Sequence, residues 1–64
     1  MNNSVKKRHL RAIDRRLNNV KENIEGICYW NKKGELDVVK LEKEDIKKHF
    51  SIVKKHLDYL SDKF

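Results

Sequence analysis

His49 and His56 stand seven residues apart, and Asp45 precedes His49 by four, so a helix sets all three on one face. A metal site or an acid–base pair is the chemistry such residues suggest. Two helical turns separate the histidines by about 10 Å, too far for one ion to be shared within a single helix. Only a second copy of the chain could bring them together, and otherwise they edge a helix interface at heptad position g. Cys28 is the sole cysteine, with no base near it in sequence; His9 lies toward the other end of the same segment. Cys/His catalysis is therefore unsupported, and Cys28 reads as a small apolar filler. Ser4, Ser51 and Ser61 sit in no nucleophile motif, and no Gly-rich phosphate loop exists. The expectation is a protein without enzymatic activity, catalytic residue, metal or cofactor.

Binding chemistry is better represented. Residues 1–21 carry seven basic side chains against one acid (Asp14), whereas residues 22–64 carry nine of each, so the whole net charge of +6 lies in the first third. Every arginine is there: Arg8, Arg11, Arg15 and Arg16. Steps of three and four align Arg8, Arg11 and Arg15 in one helical stripe, with Lys7 beside it and Arg16 flanking the apolar seam. Lysines often do no more than solvate a surface, so the clustered arginines carry the argument. A stripe of this kind suits phosphates of DNA or RNA, read through the backbone because no base-reading code is evident. It equally suits an acidic surface on a partner protein. Tyr29 and Trp30 precede Lys32 and Lys33, which makes a second candidate patch: an exposed aromatic beside lysines can stack on a base or anchor a protein partner. The candidate binding residues are thus Lys7, Arg8, Arg11, Arg15, Arg16, Lys32 and Lys33, with Tyr29 or Trp30 as aromatic anchor.

These residues need elements to hold them. Leu10, Ile13, Leu17, Val20, Ile24 and Ile27 alternate three and four apart, a coiled-coil seam over a first helix at 5–25. Residues 1–4 read as a frayed start, with Ser4 a plausible N-cap; the basic run behind it opposes the helix dipole. Asn31-Lys32-Lys33-Gly34 between two β-favouring runs has the form of a hairpin turn, with Gly34 left-handed. This predicts a short ribbon pairing Ile27–Asn31 with Glu35–Lys40; a plain loop is the competing reading of 27–40. A second helix follows over 42–62, with acids at its start and a seam of Ile46, Phe50, Val53, Leu57, Leu60 and Phe64. Ile52 and Tyr59 widen its apolar stripe beyond what one neighbour needs.

At 64 residues the chain is one small domain. The elements predict a mainly α, antiparallel two-helix hairpin in α-β-β-α order with a ribbon or loop at its tip. One cysteine precludes an internal disulfide, and so small a core calls for help from oligomerisation. A homodimeric four-helix bundle, closed over the Ile52/Tyr59 line, is the expected form. No apolar run reaches membrane-spanning length and no signal-like segment follows Met1; a lone thiol suits a reducing compartment, so a cytoplasmic location is expected.

Overall fold

The computed structural model describes residues 3–63, with Lys63 described only in its backbone. It is a hairpin of two long helices, α1 (Asn3–Lys32) and α2 (Leu36–Lys63), packed against each other along their length. The hairpin is slender, 48 × 15 × 10 Å in its principal extents. Among the described residues none of the helices is long and apolar enough to cross a membrane.

The β-ribbon is not formed. Residues 27–32 complete α1 and residues 36–40 begin α2. An isolated two-stranded ribbon is marginal in water, and β-propensity spans only about 1 kcal/mol. Extending the helices does more. Ile27 and Trp30 continue the four–three spacing of Val20 and Asn23, so as helix both stay half-buried against α2. In the same way Val39, on the would-be second strand, is one of the few buried apolar residues. Gly26 does not interrupt α1; a Cβ there would lie 3.0 Å from Glu42 Oε2, so the glycine makes room for that carboxylate.

The turn keeps the expected glycine. Gly34 has φ of 74°, in the left-handed region. Its N–H donates to the Asn31 carbonyl (3.1 Å), and the Glu35 N–H donates to the Trp30 carbonyl (3.0 Å). This crossed pair is a Schellman motif, which satisfies the last carbonyls of α1. Glu35 then caps α2, its carbonyl accepting from the Val39 N–H at 3.2 Å, and Asp37 complements the dipole in the first turn. At the other end Ser4 is not a cap, because α1 already includes Asn3. Phe64, counted in the expected seam, lies outside the described residues.

The seam itself is rotated from the expected one. Ile13, Val20 and Ile27 do face Ile46, Val53 and Leu60. The second column of α1, however, is His9, Arg16, Asn23 and Trp30, not Leu10, Leu17 and Ile24, which are 47%, 42% and 50% exposed. On α2 the second column is Glu42, His49 and His56, while Phe50 and Leu57 are each half exposed. The physical reason is mutual: the polar columns of the two helices pair with each other. Their partners, His9/His56, Arg16/His49 and Asn23/Glu42, have residue numbers that add to 65, a constant antiparallel register. Layers of Ile and Val thus alternate with layers of polar pairs.

Candidate functional site

Because α1 is helical from its first described residues, Lys7, Arg8, Arg11 and Arg15 fall on one continuous stripe. With Ser4 and Ala12 they line a shallow open depression on the flank turned away from α2. Arg8, Arg11 and Arg15 form no ion pair among the described residues, so their guanidinium groups present their donors to solvent. Ala12, which lines the depression beside them, is small and half-buried.

Arg16 does not belong to this face. It is half-buried in the seam, where Nη1 donates to His49 Nδ1 at 3.3 Å. That bond fixes a proton arrangement: His49 accepts at Nδ1, so its Nε2 carries the hydrogen and points to Asp45 Oδ2, 3.4 Å away. Asp45 also accepts from Asn23 Nδ2 at 3.1 Å, and the same Nδ2 donates to Glu42 Oε2 at 2.8 Å. The Asn23 hydrogen bond, assisted by the neighbouring His49, holds the Asp45 carboxyl below its ordinary value of 3.8, against a smaller opposing effect of desolvation. Asn23 is buried, and its Oδ1 has no partner. A chain of five polar side chains therefore crosses between the helices: Arg16, His49, Asp45, Asn23 and Glu42.

His9 and His56 make the remaining polar layer, Nδ1 to Nδ1 at 2.8 Å, one ring donating and the other accepting. Tyr59 stacks on His9 with ring centroids 4.3 Å apart. His49 and His56 thus each have a partner on α1 and do not converge with each other. No group of three or more potential metal-ligating side chains exists among the described residues. Cys28 is exposed on helical surface and fills no ribbon.

The second basic patch is a separate place. Lys32 and Lys33 sit at the tip, about 30 Å along the helix from Arg11. Tyr29 is 53% exposed there, edge-on to the half-buried Trp30 (4.9 Å) and with Lys33 Nζ 5.3 Å from its ring centre. Trp30 packs at the end of the seam, and Tyr29 is the aromatic left accessible.

Sequence reasoning missed Asn23, Glu42 and the inward turn of Arg16 and the histidines. The signal was present as a polar heptad column beside the apolar one on each helix, but only the register of the hairpin shows that the two columns match. No protein-family model matches the chain, and no similar curated protein or solved structure was found.

Proposed function

We propose that this chain is a small, non-enzymatic regulator that binds nucleic acid through the basic row of α1. Lys7, Arg8, Arg11 and Arg15 contact phosphates, and the acting form is a cytoplasmic homodimer with one row per protomer. The observation that carries this reading is that Arg8, Arg11 and Arg15 form no ion pair among the described residues while Arg16 is drawn inside. A row at helical spacing follows a backbone by charge, without reading bases, so affinity falls steeply with salt.

Anisotropy titrations with labelled duplex DNA, single-stranded DNA and RNA, at about 50 mM and about 200 mM salt, test it. Binding at the lower salt that is lost in Arg8→Gln/Arg11→Gln/Arg15→Gln supports the proposal; no binding at low salt to any of the three ends it.

The second reading, docking on an acidic surface of a partner protein as an inhibitor or adaptor, is favoured by one specific feature. Exposed Tyr29 beside Lys33 at the tip has the character of a protein-binding anchor. Under that reading Tyr29→Ala and Lys32→Gln/Lys33→Gln, and not the arginine substitutions, abolish capture of the partner.

A further inference from the structure

The hairpin hides its small apolar side chains and shows its large ones. Among the described residues the buried apolar core is Val20, Val39, Val53 and Leu60, with no side chain fully enclosed, while Leu10, Leu17, Ile24, Phe50 and Leu57 are 42–50% exposed. These five share one flank. On each helix they follow the inner apolar column by one helical step, away from the polar column, and the helices are antiparallel, so both steps lead to the same side of the hairpin. The opposite flank carries the polar seam's outer neighbours, Asp45 and Tyr59, which reach across to Asn23 and His9. Ile52, half-buried, and Tyr59, stacked on His9, therefore belong to the polar flank. In the register of the hairpin Leu10 is level with Leu57, and Leu17 with Phe50.

We propose that a second copy of this chain covers the Leu10/Leu17/Ile24–Phe50/Leu57 flank, making a four-helix bundle with a two-fold axis running along the helices. This rests on the homodimer of the proposed function, whose interface it locates, and not on nucleic-acid binding. Such an axis lays α1 of one copy on α2 of the other. Leu10 then meets Leu57 and Leu17 meets Phe50 of the second copy, two wholly apolar layers seven residues apart. Asp14, the one acid on that rim of α1, comes level with Lys54 of the second copy. Further along, Ile24 comes level with Lys43 and Lys21 with Lys47 of the second copy, so the two apolar layers carry the contact. The broad face of the hairpin, 48 × 15 Å, offers about 700 Å² per copy, near the roughly 800 Å² per partner of a standard interface. A second copy also supplies what a core of three valines and a leucine lacks.

Light scattering coupled to gel filtration reads the result directly. A mass twice the 7.7 kDa of the chain is expected at about 100 µM. Leu10→Ala/Leu17→Ala/Phe50→Ala should return the monomer mass with helix content retained, since alanine is the best helix former and the seam is untouched. Ile52→Ala/Tyr59→Ala, on the other flank, should leave the dimer. Should the triple variant unfold, photo-cross-linking in the otherwise wild-type chain decides. A benzoylphenylalanine in place of Phe50 should capture a second copy, and one in place of Tyr59 should not. A wild-type monomer, a dimer that survives the triple substitution, cross-links from position 59 alone, or a monomer that associates only with anionic vesicles would each overturn the proposal.

Discussion

Asn23 is the residue on which the polar seam turns. Its amide joins Glu42 and Asp45, two carboxylates that would otherwise repel each other, and its carbonyl oxygen is left buried without a partner. A buried asparagine at a heptad position costs stability and specifies register. Its effect on Asp45 gives a pH signature. The folded carboxyl ionises below 3.8, so its contribution is fully present above that unfolded-chain value and is lost as pH falls through the lower folded value. In Asn23→Ala the Asp45 titration, followed by carboxyl NMR, should move up toward the ordinary value, and the acid limb of stability against pH should become shallower. An unchanged Asp45 titration would place the cause elsewhere. Arg16 allows a comparison at the same scale. Arg16→Gln removes a charged hydrogen bond between the helices and should cost about 1–2 kcal/mol, whereas Arg15→Gln on the open row should stay within about 0.5 kcal/mol. Urea denaturation of the two variants separates a structural arginine from a binding one; equal costs would dissolve the distinction.

At the scale of elements, the turn carries the conformational demand. Gly34 sits at φ 74° with open space where a Cβ would be. The penalty of Gly34→Ala is therefore backbone strain and not collision, about 1–2 kcal/mol, read as a lower thermal midpoint with unchanged helix content. Gly34→Asn should recover part of the loss, since asparagine tolerates the left-handed region better than alanine. Both helices and this glycine were legible from sequence, since composition and periodicity act locally, whereas the Ser4 cap was not borne out. The ribbon was misread because residues 27–31 and 35–40 have β-favouring side chains whose preference is weak beside the gain from prolonging a packed helix. The phase of the seam was misread for a different reason. Ile13, Val20 and Ile27 can be completed by the leucine column or by His9, Arg16 and Asn23. Hydropathy selects the leucines, while the matching polar column lies 19 to 47 residues away. Complementarity across a hairpin is not a local property, and it appears only once the register is known.

For the whole molecule, the two proposals constrain each other. The basic row lies on the side of α1 away from α2 and from the leucine flank, so a bundle closed over Leu10, Leu17 and Phe50 leaves it open. A two-fold axis along the helices then puts the rows of the two protomers on opposite outer surfaces. One straight duplex can touch only one of them. Four cations per row, Lys7, Arg8, Arg11 and Arg15, should give a slope of log affinity against log salt of about −3 to −4 on duplex DNA. A dimer that clamped one duplex with both rows would show about twice that slope. The outward arrangement further predicts bridging: mixing duplexes labelled with donor and acceptor dyes should produce energy transfer on adding the protein. Leu10→Ala/Leu17→Ala/Phe50→Ala should abolish the transfer while each monomer keeps the single-row salt slope. Transfer that persists in the monomer, or a doubled slope in the dimer, would mean that the rows are not held back to back.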